Sequence, residues 1–349
     1  MNKEITKSRI KSIGKKLRIF NTDELIDQED LEYFNKWRDH HSSSLNYYAK
    51  LLREEAIKLN VDKENITITH RLKRFYSIIL KLKRFPQMQL SFMDDIAGVR
   101  IVLLEVELVK DLFNILKQKK SKHKMIKVNN YISSPKDDGY RSIHLVYKIE
   151  KTPTIQIEVQ LRSQLQHIWA TGVEVFGTLK KTSFKTGEGE QDWKEFFKLL
   201  SSWFAIKENT PVVNEHEILS HSKLEKLLIK KIKDMNIVEQ LTAYTSIYSS
   251  SWRDNRSKGR SGKYALLTLD NCKSTTEVEV FADKDLSIAL EKYSSIEKNN
   301  HSSDNINVVL VNLNDLDNLE KAYPNYFMDT KVLNKYLSQI VLGEFIENL

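Results

Sequence analysis

The chain has 349 residues, 40% of them hydrophobic, with 55 basic and 47 acidic side chains and a formal net charge of +8. That length accommodates two domains with buried cores and excludes a disordered chain, while the positive balance favours polyanionic partners such as nucleotides, RNA or an acidic surface. Cys272 is the single cysteine, which excludes an internal disulfide framework and a multi-cysteine zinc site; with no apolar run long enough to span a bilayer and no apolar leader, the expectation is a cytoplasmic protein without membrane contact.

Residues 1–44 read as an N-terminal helical segment. The polar stretch from about 23 to 59 opens with Thr22 or Asp23 as N-cap and acidic residues in the first turn. "NITITHR" alternates apolar and polar residues as a half-buried strand does. "RLKRFYSIILKL" (71–82) then becomes a helix from about Arg74 and ends near Pro86, with Ser77 and Lys81 four apart on one face and Arg71 and Lys73 at its entrance. "GVRIVLL" (98–104) is β-branched enough for a central strand, and an amphipathic helix follows from about Glu105 to Lys119.

Residues 124–132, 143–150 and 154–162 read as three further strands, the last two an antiparallel pair joined by a turn at "KTPT". Helices dominate from about Ser163 to Ser250. The basic, Ser- and Gly-rich "SSSWRDNRSKGRSGK" (249–263) reads as a linker or exposed loop. After it come strand, strand, helix, strand and two helical segments. The expected architecture is α/β of the α+β kind: a mixed sheet flanked by helices over 45–210, a helical connector over 211–255, and a smaller αβ domain over 256–349.

Asp95, beside Asp94 at the entrance to one strand, and Glu158 on a later strand can meet on neighbouring strands and offer oxygen ligands to Mg²⁺. Basic side chains would surround metal-bound phosphates. Gln160 and Arg162 share the face of Glu158 by the two-residue period. Gly139 permits a tight turn that presents Tyr140. "QHIWATGVE" offers His167 and Glu174, but a Trp and aliphatic residues at helical spacing point to a helix docked on the sheet.

Four ordered clusters, "RLKRFYSIILKL", "DDIAGVRIV" (94–102), "PKDDGYRSIHLV" (135–146) and "IEVQLRSQLQHIWA" (157–170), resemble the synthetase domain of the RelA/SpoT family of alarmone synthetases over roughly residues 45–205. The resemblance implies a nucleotidyltransferase-like sheet. It also implies a pyrophosphokinase that moves the β,γ-pyrophosphate of ATP to the 3′-hydroxyl of GTP or GDP with Mg²⁺ and releases AMP. Arg71 and Arg100 would sandwich the adenine, and Lys73, Ser77 and Lys81 would hold the donor phosphates. Tyr140 would stack on the acceptor guanine, with Lys136, Arg141 and His144 toward its phosphates and Gln160 and Arg162 completing the acceptor wall. Asp95 and Glu158 would hold the metal, Glu158 also activating the attacking hydroxyl.

The match is to a short synthetase with an added C-terminal module, and the residues before the first motif are too few for the family's hydrolase domain, so alarmone breakdown is not expected. Some short members are instead toxins that pyrophosphorylate the 3′ end of tRNA; "KQKKSKHKMIK" (117–127) is a candidate for a tRNA backbone or equally a solvated helix end. The C-terminal module, with "YPNYFMDT" (323–330), is an expected autoinhibitory or sensing domain, the intramolecular partner or receiver of a protein trigger. A nucleotide-binding regulator with a degenerate site is the non-enzymatic alternative. Oligomeric state is not legible.

Overall fold

The structure, a computed structural model, describes residues 5–20, 27–119, 123–149, 155–179, 191–247, 249–254, 262, 264–300, 305–312, 319–327 and 329–343. The expected cap at Thr22 or Asp23 and the "KTPT" turn lie outside these residues, as do parts of the 117–127, 249–263 and 323–330 stretches.

Three helices lead the chain: α1 (Lys7–Ile19), α2 (Gln28–Asp39) and α3 (Ser42–Lys58). The Asp27 side chain caps α2 through the backbone N–H of Asp30. The first sheet is built from β1 (Thr67–Leu72), β2 (Ala97–Leu103), β3 (Lys124–Asn130), β4 (Ile143–Lys148) and β5 (Gln156–Ser163). Helix α4 (Phe75–Arg84) follows β1, and α5 (Val106–Gln118) follows β2. The strand order is β1-β2-β5-β4-β3, with β2 and β5 parallel and the other pairs antiparallel.

Register separates the two faces of this sheet. Val99, Ile101, Ile157, Val159, Leu161, Ile143 and Leu145 alternate toward α3 and α5 and are buried in one apolar core. The intervening residues point the other way, as the pleat requires. Arg71 pairs with Gly98, Gly98 with Glu158, Arg100 with Gln160, and Gln160 with His144. One sheet face is therefore hydrocarbon and the other is a row of charged and polar groups.

Helices α6 (Gln164–Leu179), α7 (Gln191–Lys207), α8 (His221–Asp234) and α9 (Ile237–Ile247) form a helical layer with its own core. The second sheet contains β6 (Ser249–Asp254), β7 (Tyr264–Asp270), β8 (Thr275–Phe281) and β9 (Ile306–Asn312) in the order β6-β8-β7-β9, with α10 (Leu286–Asn299) on one face and α11 (Leu319–Ala322) near the other.

Two expectations are corrected here. "SSSWRD" is strand β6 rather than linker, because β8 supplies a parallel partner for its backbone that its own sequence pattern does not announce. The last helix, α12 (Lys331–Leu342), packs Leu333, Tyr336, Leu337 and Ile340 into the helical layer, away from the second sheet. Gly172 on α6 accommodates that return: a Cβ there would lie 2.7 Å from Leu333 Cδ2. Among the described residues no helix is long and apolar enough to cross a membrane.

Candidate active site

The polar face of the first sheet gathers most of the residues the four motifs single out. Asp95 lies just before β2, where Lys73 Nζ and Lys81 Nζ donate to its two oxygens at 3.0 and 2.8 Å. Burial alone would push the Asp95 carboxyl up; the two ammonium groups outweigh it and hold the group well below its ordinary value. Lys73 is in turn lowered by burial, against the pull of Asp95. Ser77 sits on α4 between these lysines in sequence, half-buried.

Further along the same face, five side chains close a ring of hydrogen bonds. Glu158 Oε1 contacts His144 Nδ1 at 2.8 Å, and His144 Nε2 contacts the Tyr140 hydroxyl at 2.7 Å. Arg162 Nη2 donates to that hydroxyl at 2.8 Å and to Gln160 Oε1 at 3.2 Å. Gln160 Nε2 donates to Glu158 Oε2 at 2.7 Å, which completes the circuit. Burial would raise Glu158, but His144 brings it below the ordinary carboxyl value. Burial opposes the charge on His144 as well, yet Tyr140 and Glu158 lift it to about 9. Tyr140 is disfavoured as an anion by burial and still falls to about 7 beside Arg162 and His144.

Tyr140 is presented by a turn in which Gly139 adopts φ +90°, a region that favours glycine. A Cβ on Gly139 would also meet Ser201 Cβ at 2.8 Å. Lys136 Nζ lies 5.0 Å from the Tyr140 ring centroid and 4.6 Å from that of Tyr131, an aromatic neighbour the motif reading did not include.

Arg141 departs from expectation. It is 3% exposed and turns away from the polar face, donating to Ser201 Oγ at 3.1 Å and to the Pro211 carbonyl. It fastens the turn to α7 and to the segment after it.

Arg71 and Arg100 occupy adjacent strands on the same face, two residues out of direct register. Burial and the nearby Arg162 lower Arg100 to about 10. Arg71 is raised despite burial, with the Tyr326 hydroxyl and the Glu174 carboxyl acting on it. His167 Nδ1 lies 3.4 Å from Arg100 Nη1, and burial beside Arg100 keeps the ring neutral. His167 and Glu174, two turns apart on α6, thus back the arginine pair; their seven-residue spacing was the available signal. Between Arg71 and Glu158, Gly98 leaves the floor of the face open: a Cβ built on it meets nothing closer than the Glu158 carbonyl at 4.0 Å.

The residues fit a divalent cation. Asp95 and Glu158 are hard oxygen donors near enough for Asp95 to act electrostatically on Glu158, and Lys73 and Lys81 supply positive charge to Asp95. Among the described residues no three His, Cys, Asp or Glu side chains form a metal cage.

Residues 70–183 match the family model described as "Region found in RelA / SpoT proteins". The chain is 33% identical over 111 residues to GTP pyrophosphokinase YwaC of Bacillus subtilis (strain 168), a match covering 29% of this chain and 52% of that protein. It is 32% identical over 111 residues to GTP pyrophosphokinase YjbM of the same organism, covering 30% of this chain and 52% of the relative. The chain thus spans about half the length of these curated relatives. The crystal structure of small alarmone synthetase 2 from Bacillus subtilis aligns with a TM-score of 0.42 and 22% identity, covering 50% of this chain and 94% of that one.

Proposed function

We propose that this chain, whose residues 70–183 belong to the RelA/SpoT family, is a pyrophosphokinase that transfers the β,γ-pyrophosphate of ATP to the 3′-hydroxyl of GTP or GDP and releases AMP. The observation that carries the reading is the single polar sheet face on which Arg71, Arg100, Glu158, Gln160 and His144 fall in register around the open floor at Gly98.

The adenine inserts between the Arg71 and Arg100 guanidinium planes, which stack and stay charged. Lys73 and Lys81 turn from Asp95 to the donor phosphates, joined by Ser77. The acceptor base stacks on Tyr140, with Lys136 beside it. Asp95 and Glu158 would hold Mg²⁺, which would supply positive charge to neutralise the phosphates. Glu158 takes the proton of the 3′-hydroxyl; the oxygen bonds to the β-phosphorus, the bond from that phosphorus to the α,β-bridging oxygen breaks, and AMP leaves with that oxygen.

A second element of the reading concerns the C-terminal module. The Tyr323 hydroxyl donates to the His70 carbonyl at 3.1 Å and accepts from the His70 N–H at 3.2 Å, along the free edge of β1. Tyr293, Tyr323 and Tyr326 all act electrostatically on Arg71. The module thereby covers the donor side of the face, which supports an autoinhibitory role.

The test is to incubate the protein with radiolabelled ATP and Mg²⁺ and to offer GDP, GTP and deacylated tRNA in parallel. Labelled guanosine nucleotide plus AMP is the expected result. Exclusive labelling of tRNA replaces the acceptor, and no AMP with any acceptor overturns the enzymatic reading.

A further inference from the structure

Arg38 lies on α2, outside the four motifs, and is 2% exposed. Its Nη1 donates to Glu297 Oε2 at 3.0 Å, joining the N-terminal helices to α10 of the C-terminal module. The other oxygen of Glu297 accepts the backbone N–H of Phe75 and, at 3.0 Å, the hydroxyl of Tyr293. Phe75 is the first residue of α4, and its N-cap, Arg74, makes no side-chain capping bond. The partial positive charge at this helix end is met by a carboxylate from the other end of the chain.

The guanidinium also has contacts that do not come from α10: the Phe34 ring lies 5.6 Å from Arg38 Cζ and Nη1 reaches the Lys73 carbonyl at 3.5 Å, whereas the Tyr293 ring, at 5.2 Å, belongs to α10 with Glu297. Arg38 Nε is buried with no hydrogen-bond partner. A buried guanidinium with a spare donor, beside a helix start whose first N–H already binds a carboxylate oxygen, is a donor set for an oxyanion. If α10 lifts, that charge is stranded unless another anion enters.

We propose that Arg38 and the first turn of α4 form a phosphate site that Glu297 fills in place of a nucleotide phosphate, so that polyphosphate binding and docking of the C-terminal module exclude one another. The proposal rests on the pyrophosphokinase reading and adds to it a subsite from the N-terminal helices and its intramolecular competitor. The site is continuous with the donor cradle, since Lys73 precedes Phe75 by two residues and Ser77 follows it by two. Competition of this kind is reciprocal: whatever loosens α10 strengthens polyphosphate binding by the same factor.

The experiment uses the full chain and inorganic triphosphate as probe. Calorimetry compares wild type with Glu297→Gln, which keeps size and loses charge, and hydrogen exchange follows the amides of α10. The variant is expected to bind triphosphate about tenfold more tightly, within the usual range of linked sites. In wild type, triphosphate is expected to speed exchange in α10. Equal affinities in the two proteins overturn the proposal. If Glu297→Gln does not fold, the wild-type exchange decides alone, and α10 protection unchanged by saturating triphosphate overturns it. AMP release from ATP is scored separately. AMP formation with equal affinities removes this site and leaves the reaction; unequal affinities with no AMP remove the reaction and leave the site.

Discussion

His144 Nδ1 holds Glu158 Oε1 at 2.8 Å while Gln160 holds the other oxygen at 2.7 Å, so neither lone-pair direction of the carboxylate is left to rotate freely. If Glu158 is the base, as proposed, a carboxylate fixed in this way meets its substrate proton without first being reoriented.

Glu158→Gln keeps the shape and removes the charge. Pyrophosphoryl transfer is expected to fall by roughly 10² or more, the scale of general-base catalysis, with ATP affinity largely retained. AMP release and calorimetric ATP binding measure the two quantities, and near wild-type turnover would assign the base elsewhere.

Arg141→Ala is expected to act on the fold. Its loss takes a donor from the Pro211 carbonyl and from the buried Ser201 hydroxyl, which keeps its own bond to the Gly139 carbonyl, a cost of about 1–3 kcal/mol that denaturant titration reads. The KM for the acceptor should stay within about twofold. A raised KM at unchanged stability would return Arg141 to the phosphates.

Tyr323→Phe removes both hydrogen bonds to the His70 backbone. At about 1 kcal/mol for a net hydrogen bond, the undocked population should rise about fivefold or more, and AMP release with it. Steady-state rates of the variant equal to wild type would mean that the contact does not restrain the donor site.

Acid should weaken this protein through two buried histidines that take no part in the proposed chemistry. Burial lowers His41 and His70 to about 4 from an ordinary 6.5. Because the folded values lie below the unfolded ones, the stabilisation is complete above pH 6.5 and is lost as pH falls toward 4, where the unfolded chain takes up protons that the fold refuses. Each group accounts for about 3 kcal/mol by pH 4. Melting curves across this range should show a smaller acid loss in His70→Leu; an unchanged slope would refute the assignment.

Strand β1 was legible because apolar and polar residues alternate in it and β2 because its run is β-branched and apolar, while the two-residue period placed Glu158, Gln160 and Arg162 on one face of β5. Helix α1 carried a readable stripe at Ile10, Ile13 and Leu17, a core-facing pattern that the motif search passed over. Strand β6 was not legible, since Ser249–Asp254 has no such alternation and is ordered by a partner more than twenty residues on. Nor was the direction of Arg141, which depends on how the turn at Gly139 seats against α7. Arg38 and Glu297 are paired across 259 residues, a separation over which no local pattern reports.

The return of α12 to the helical layer has a kinetic meaning. The chain leaves that layer after α9 and rejoins it at Lys331, so the second sheet is anchored at both ends. Such a segment cannot diffuse away; it can only swing, and it finds its seat again at a rate set by its tethers. An inhibitor supplied by a separate molecule is lost on dilution. If the module restrains the donor site as proposed, that restraint should be the same at nanomolar and micromolar protein.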